Sequence, residues 1–334
     1  MEKRRLGAGG PMVSPIGIGA MSFAGVYGNA TEDAAHAILD AALELGIDHI
    51  DTSNVYGMGR SEEIIGRFLA RHGGAAQEVF RIATKAGITS DPETGQRCFD
   101  NAPEHLEAEI DGSLKRLGLD RVDLFYVHRW DRRIPIEEVT GTLVRLMEKG
   151  KIRSFGFSEI APSSLRDAAA VHPVAAVQSE YSLSTRAPEL GLVQECARLG
   201  TALVAFCPVG RGLLTDTPPA PERIAASGFL AGNPRFVEPS YSKNIAATDE
   251  FRTLAADLGV PTAALSIAWL LSRGEGVIPI PGTRSVAHLK ELAAGADLRL
   301  SDGDLARIEE VLPAGWAHGD RYTDEQWIGV ARYS

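Results

Sequence analysis

The sequence predicts an α/β protein, a single-domain (β/α)8 TIM barrel, on the strength of three observations. Short apolar, β-branched segments alternate about eight times with longer segments of helical periodicity. The apolar segments lack strict polar alternation, which is typical of parallel strands covered on both faces. No G-x-G-x-x-G motif follows the first segment, which argues against a doubly wound nucleotide-binding sheet.

The predicted elements follow one another along the whole chain. Strands are predicted at 16–19, 47–51, 81–84, 122–127, 152–157, 174–178, 202–206 and 277–280. The first helix is expected to begin after Thr31, a helix-capping residue, with acidic Glu32 and Asp33 in its first turn, and to end at Gly46. Further helices are predicted at 103–117, 136–149, 163–171, 188–199 and 248–258.

Two loops exceed the usual length, at 86–101 and 207–245. Long loops in a compact domain are more often lids or binding loops than disorder, so both are expected at the C-terminal face of the barrel. The tail, about 313–334, has four large aromatic residues without helical periodicity and is expected to pack near the barrel mouth. The whole of 1–334 is therefore assigned to one domain.

Composition narrows the class of protein. Apolar residues make up 44% and charged residues 23%, which is ordinary for a globular chain of 334 residues. The three cysteines are widely spaced, and neither a signal peptide nor an apolar segment of membrane-spanning length is evident, so a cytoplasmic location without a membrane partner is expected. The formal net charge of -10 argues against a nucleic-acid partner.

Four polar side chains stand at or just after the ends of predicted strands: Asp51, Tyr56, Lys85 and His128. In a TIM barrel the C-terminal strand ends form the active site, so these residues should converge. Each alone has an ordinary structural explanation, such as a turn cap or a packed aromatic residue. Together they match the requirements of acid–base chemistry on an oxygen atom.

The chemistry follows from the pKa of a phenol. A phenol pKa of about 10 is too high for an effective acid at neutral pH, and a nearby Lys85 ammonium would lower that pKa. Asp51 would keep that lysine charged and in place. His128 would hydrogen-bond a carbonyl oxygen, and Tyr56 would supply the proton as a hydride reaches the carbonyl carbon.

Three segments that contain these residues resemble signature segments of the aldo-keto reductases: LGIDHIDTSNVYGMGRSEEIIG, ATKAG and VDLFYVHRWD. The likeness extends over essentially the whole chain. It implies that Asp51, Tyr56, Lys85 and His128 form the catalytic tetrad of an NADPH-dependent reductase of aldehydes and ketones. The segments GTR and HGDRYTDEQW are similar to those of bacterial broad-specificity aldehyde and pyridoxal-type reductases.

The resemblance also implies the NADP(H) contacts. Ser158 and Gln178 would bind the nicotinamide carboxamide, Phe206 would stack on its ring, and 207–213 would wrap the pyrophosphate. The segment after the last strand would surround the 2′-phosphate, where an arginine fork such as that of Arg284 pairs well with phosphate. The full predicted set is Gly19, Met21, Asp51, Ser158, Gln178, Phe206, Cys207, Pro208, Val209, Gly210, Arg211, Gly212, Leu213, Ile280, Pro281, Gly282, Thr283, Arg284, His288, Glu291 and Leu292.

Three positions depart from the family pattern. Glu159 and Leu292 stand where many members have asparagine, and Phe206 replaces a tyrosine common in other branches. A carboxylate cannot donate a hydrogen bond to the carboxamide, so that contact is not expected from Glu159. Loss of the second asparagine is expected to weaken the adenine contact.

The substrate pocket is predicted to be apolar and tolerant of aromatic groups, with Phe23, Tyr27, Trp130 and Trp316 in its lining. HExxH and CxxC patterns are absent, so no metal is expected. Two alternatives remain open: a cofactor-sensing relative with little turnover, like the potassium-channel β subunits, and a Schiff-base aldolase that uses Lys85. The sequence leaves the substrate, the reaction direction and the oligomeric state undetermined.

Overall fold

A computed structural model describes residues 1–26, 28, 30–91 and 93–332. Eight strands of the described chain form one parallel sheet, and four more form two antiparallel hairpins. In chain order the strands are β1 Arg4–Arg5, β2 Met12–Val13, β3 Ile18–Gly19, β4 His49–Asp51, β5 Arg81–Ala86, β6 Ile88–Ser90, β7 Arg97–Phe99, β8 Leu124–Val127, β9 Phe155–Ser158, β10 Ala176–Glu180, β11 Ala202–Phe206 and β12 Val277–Pro279.

The parallel sheet closes on itself. Its order is β12-β11-β10-β9-β8-β5-β4-β3. The first and last of these strands are joined by hydrogen bonds from Gly17 N to Pro279 O at 2.8 Å and from Gly19 N to Pro281 O at 2.9 Å. The predicted (β/α)8 barrel is therefore confirmed.

The helices of the described chain cover the outside of the barrel or lie in its long loop and tail. They are α1 Glu32–Leu45, α2 Arg60–His72, α3 Gly74–Val79, α4 Pro103–Leu117, α5 Ile136–Glu148, α6 Pro162–Val171, α7 Leu192–Leu199, α8 Pro221–Ala225, α9 Ser240–Asp257, α10 Thr262–Leu271, α11 Val286–Ala294, α12 Asp302–Val311 and α13 Asp324–Trp327. Among the described residues no single helix is long and apolar enough to cross a membrane; α9 and α10 pass that test only as a pair bent by 90°.

The predicted start and end of α1 are confirmed. The Thr31 hydroxyl accepts a hydrogen bond from Ala34 N, and Gly46 ends the helix in the left-handed region at φ 73°. The helix predicted at 188–199 is instead two pieces, a 3-10 turn at Ala187–Leu190 and then α7. Gly191, at φ 150°, lies between them in a conformation that no helix contains.

Both long loops contain regular structure that the prediction missed. Segment 86–101 holds the β6–β7 hairpin, in which Ser90 pairs with Arg97, and segment 207–245 holds α8 and the start of α9. Helices α2, α10, α11 and α12 and the N-terminal β1–β2 hairpin were also missed. Several strand boundaries shift by one to three residues, as expected when propensity alone defines an end.

The β1–β2 hairpin closes one end of the barrel. Its Leu6 and Val13 are buried in an interior cluster with strand residues such as Leu124, Val204 and Ile278. A separate, larger apolar cluster fills the space between the strands and the helices. Because the interior is packed from the hairpin upward, the open space lies at the opposite end, where the parallel strands terminate.

Candidate active site

A cavity of about 1000 Å³ lies at the C-terminal ends of the strands. Residues from both long loops and from the tail, including Arg97, Arg223 and Tyr322, contribute to its wall. The side chains of Asp51, Tyr56 and His128 line it too. The sequence prediction that these strand ends converge therefore matches the observed geometry.

Asp51 and Lys85 form a buried ion pair beneath the cavity. Lys85 Nζ bonds Asp51 Oδ1 and donates to Thr52 O at 2.7 Å, while Gln178 Nε2 donates to Asp51 Oδ2 at 2.8 Å. Burial is the largest single effect and lowers the pKa of Lys85, but the charge of Asp51, together with Tyr56 and the hydrogen bonds to both, outweighs it, and the net shift is upward. The lysine is therefore a fixed ammonium.

Tyr56 lies above this ammonium. Its Oη is 3.4 Å from Lys85 Nζ, and its ring meets the His128 ring edge-on with centroids 5.8 Å apart. Burial raises the pKa of Tyr56, and Lys85 opposes that shift without reversing it. The expected lowering by lysine is present, but desolvation is the larger effect, so the phenol keeps its proton at neutral pH.

His128 is a neutral imidazole. Burial, followed by the charges of Arg129 and Lys85, places the pKa of His128 well below its ordinary value of 6.5. Its Nδ1 lies 3.1 Å from Ser53 Oγ, so Nε2 is the ring nitrogen left for a ligand. In the tautomer in which Nδ1 accepts from the Ser53 hydroxyl, Nε2 carries the hydrogen and can donate it to a ligand.

Most of the predicted cofactor-binding residues line the cavity. They are Gly19, Met21, Asp51, Ser158, Gln178, Phe206, Cys207, Pro208, Val209, Arg211, Gly212, Ile280, Gly282, Thr283, Arg284, His288, Glu291 and Leu292. Three do not. Leu213 is fully buried against Ile224 and Leu230, Pro281 O accepts the barrel-closing bond from Gly19 N, and Gly210 shapes the backbone at φ 57°.

The arginine within the predicted pyrophosphate segment is already paired. Arg211 bonds Glu180 through Nη1–Oε1 at 3.0 Å and Nη2–Oε2 at 2.5 Å. Glu159, which was not expected to contact a carboxamide, pairs instead with Arg321 of the tail at 2.6 and 3.0 Å. These buried ion pairs attach loop and tail to the ends of β9 and β10.

The segment after β12 has the features of a phosphate site. Ser285 caps α11, a nine-residue helix, by accepting from His288 N, and the positive end of the helix dipole faces the cavity there. The guanidinium of Arg284 packs directly against Gly28: a Cβ atom added to that glycine would lie only 2.6 Å from Arg284 Nη1. Neither Arg284 nor Arg223, which also lines the cavity, has an ion-pair partner among the described residues. These residues fit a phosphorylated dinucleotide, and Arg223 was missed because it lies on the short helix α8.

The predicted substrate pocket requires correction. Phe23 is 1% exposed and packed in the outer core, Trp130 donates to Ile134 O and lines a separate small cavity, and Trp316 donates to Leu183 O. Their aromatic rings fill gaps between elements rather than the barrel mouth. Tyr27 lies outside the residues that the structure describes.

Other side chains form the wall near Tyr56 and His128. They are Val55, Ile88, Arg97, Arg129, Tyr322 and Gln326. Arg129 directly follows His128 in the sequence, so its position next to a strand-end residue was a usable signal. Nothing local marked the others, because hairpin and tail reach the mouth only through tertiary packing.

Comparison with known proteins agrees with this geometry. The sequence profile of the Aldo/keto reductase family matches residues 15–313. An NADP(+) aldo-keto reductase, yakc, of Schizosaccharomyces pombe is 38% identical over 94% of this chain and 93% of its own length. A probable aldo-keto reductase 1 of Glycine max is 35% identical over 95% and 91%.

Solved structures of similar fold cover nearly the whole chain. The glycerol dehydrogenase AKR11B4 of Gluconobacter oxydans superposes with a TM-score of 0.81 at 28% identity, covering 96% of this chain and 98% of its own. The aldo-keto reductase AKR11C1 of Bacillus halodurans gives 0.78 at 24% identity, covering 98% and 99%, and so supports the barrel fold. With its profile match, its relatives and its barrel in agreement, the chain belongs to the aldo/keto reductase family.

Proposed function

We propose that the chain is an NADPH-dependent reductase of aldehydes and ketones in which Tyr56 is the general acid. The observation that carries this proposal is the position of Tyr56 Oη, 3.4 Å from a buried ammonium and on the wall of a cavity that reaches a phosphate-binding segment. A steady-state assay of NADPH oxidation with 4-nitrobenzaldehyde tests it directly.

When bound, NADPH supplies the hydride that reduces the carbonyl carbon. His128 Nε2–H donates to the carbonyl oxygen and holds it next to Tyr56, as Ser53 occupies Nδ1. Tyr56 then transfers its phenolic proton to that oxygen, and Lys85 stabilises the resulting phenolate. Asp51 keeps Lys85 charged and oriented throughout.

The cofactor is proposed to lie across the barrel mouth. Ser158 Oγ and Gln178 Oε1 would hold the carboxamide. The bond from Gln178 Nε2 to Asp51 orients the amide group, and Oε1 is the atom that would accept from the carboxamide N–H. Phe206 would stack on the nicotinamide. Arg284 and Arg223 would hold the 2′-phosphate or its neighbouring phosphates.

Two alternatives lose support. Lys85 is paired with Asp51 and its pKa is raised, so it is protonated and cannot attack a carbonyl as a Schiff-base aldolase requires. No feature of the described residues favours a cofactor sensor with little turnover over a reductase, because the four proton-transfer residues are all in contact range. A cytoplasmic location stays a prediction.

Arg284→Ala should separate the two nicotinamide cofactors. The dissociation constant for NADPH is expected to rise about tenfold or more, the usual loss when a charge-assisted phosphate contact is removed. NADH has no 2′-phosphate, so its dissociation constant should change by less than about twofold. Fluorescence titration of both cofactors measures this. Equal weakening of NADPH and NADH binding would show that Arg284 does not contact the 2′-phosphate. The matched control is Arg71→Ala, which removes an exposed arginine on α2.

The pH dependence of kcat/KM for a neutral aldehyde should be flat through neutrality. The low pKa of His128 places its protonation well below pH 6.5, so no acid limb is expected near that value. The raised pKa of Tyr56 keeps the phenol protonated until above pH 10, so activity falls only on that alkaline side. An inflection close to pH 6.5 would mean that His128 titrates normally and that its assigned state is wrong.

A further inference from the structure

Two arginines line the part of the cavity next to the proton-transfer residues. Arg129 follows His128 after β8, and Arg97 lies on β7, in the hairpin that follows β5. Strands β8 and β12 are four positions apart in an eight-stranded barrel, so they lie on opposite sides of the mouth. These two arginines are therefore remote from Arg284 and from the proposed phosphate contacts.

Arg129 is buried without a counter-ion. It is 7% exposed, and its Nη1 donates to two neutral acceptors, His128 O at 2.6 Å and Ser158 Oγ at 3.1 Å. Within the described part of the chain no carboxylate forms an ion pair with it, and its Nε has no hydrogen-bond partner. A buried guanidinium without a counter-ion destabilises the folded protein, and an anionic ligand bound next to it would remove that penalty.

Arg97 adds to the positive charge. Its guanidinium lies over the Phe99 ring at 4.8 Å, and it too has no ion-pair partner among the residues described. The Arg97 side chain is exposed and lines the same cavity as Arg129, and partial desolvation followed by the charge of Arg129 lowers the pKa of Arg97. The neighbouring wall residues Val55, Ile88 and Tyr322 bring no negative charge, although the chain as a whole carries -10.

We propose that Arg129, assisted by Arg97, binds a carboxylate on the substrate, so that the preferred substrates are aldehydes or ketones that carry an acid group. The inference rests on the proposed reductase function, because it takes the carbonyl oxygen to lie at His128. An arginine fork matches a carboxylate with two parallel hydrogen bonds. Since Arg129 is the next residue after His128, carbonyl and carboxylate fit within one small molecule.

The test compares 4-formylbenzoate with its methyl ester, which share the ring and the aldehyde and differ by one charge. At saturating NADPH, kcat/KM is expected to be about tenfold or more higher for the acid, mainly through a lower KM. Arg129→Gln should bring the ratio of the two values close to one, and Arg97→Gln should lower it in part. Arg71→Gln, an exposed arginine paired with Asp40, should leave the ratio unchanged.

Two results would overturn the proposal. One is a ratio near one in the wild-type enzyme. The other is an Arg129→Gln variant that binds NADPH weakly and loses activity equally with both aldehydes, because the guanidinium would then serve the cofactor. Calorimetric titration of the NADP+ complex with each aldehyde is independent of turnover. Tighter binding of the acid without turnover would support the anion site and refute the reductase function. Equal binding of acid and ester with turnover would refute the anion site and support the reductase function.

Discussion

Tyr56→Phe is expected to lower the turnover number for 4-nitrobenzaldehyde by about 100-fold or more, the usual scale for loss of a general acid. The substitution removes only the hydroxyl that lies 3.4 Å from Lys85 Nζ, and the ring can keep its edge-on contact with His128. NADPH affinity should therefore stay within about twofold of wild type, because no predicted cofactor contact is lost. Single-turnover kinetics and a fluorescence titration measure the two quantities separately.

A second tyrosine provides the control. Tyr181 is fully buried, and its hydroxyl donates to Glu189 at 2.8 Å, away from the cavity. Tyr181→Phe removes a hydroxyl of the same kind and should lower stability slightly while leaving turnover near wild type. Near-normal turnover of Tyr56→Phe would show that another group donates the proton.

Glu180→Gln is expected to lower the free energy of unfolding by about 3–5 kcal/mol, the range for removing one partner from a buried ion pair. Glu180 is fully buried and bonds Arg211 through both carboxylate oxygens. Arg235 and Arg321 lie 3.5 and 3.7 Å from it. Burial raises the pKa of Glu180, but the charges of its arginine partners outweigh that effect, so the carboxylate is ionised at neutral pH.

Urea denaturation followed by circular dichroism measures the loss. In the variant, the buried guanidinium groups next to position 180 lose the carboxylate that neutralises them. The loop and the tail, which Arg211 and Arg321 attach to β10, should also become less firmly held. Asp257→Asn breaks an exposed pair with Arg307 and should change stability by less than about 1 kcal/mol. A loss for Glu180→Gln no greater than that of the control would refute the structural role assigned to the ion pairs.

The proton-transfer residues were predictable because their signals are local. Asp51, Lys85 and His128 each stand at the end of an apolar segment, and parallel strands place such ends at one face of a barrel. Helix α1 was predictable for a similar reason, since its cap, its apolar spacing and its terminal glycine all lie within sixteen residues, Thr31 to Gly46. Local patterns of this kind do not depend on the rest of the fold.

The substrate wall was not predictable, because distant segments build it. Arg97 reaches the mouth through a hairpin in a segment that was predicted to be a loop, and Tyr322 reaches it through a tail without helical periodicity. The aromatic residues proposed in their place fill gaps between elements instead, as Phe23 does. Arg211, in the predicted pyrophosphate segment, does line the cavity, but nothing in the sequence indicated that its guanidinium pairs with Glu180, 31 positions away.

The measurement that tests the central claim most directly is a fluorescence titration of the purified protein with NADPH and NADH, followed by NADPH oxidation with 4-nitrobenzaldehyde. We expect NADPH to bind more tightly than NADH, because Arg284 lies at the cavity wall without an ion-pair partner in the described chain, and we expect turnover that depends on Tyr56. Absence of NADPH binding would contradict the assignment of the segment after β12, and tight binding without turnover would contradict the role of Tyr56.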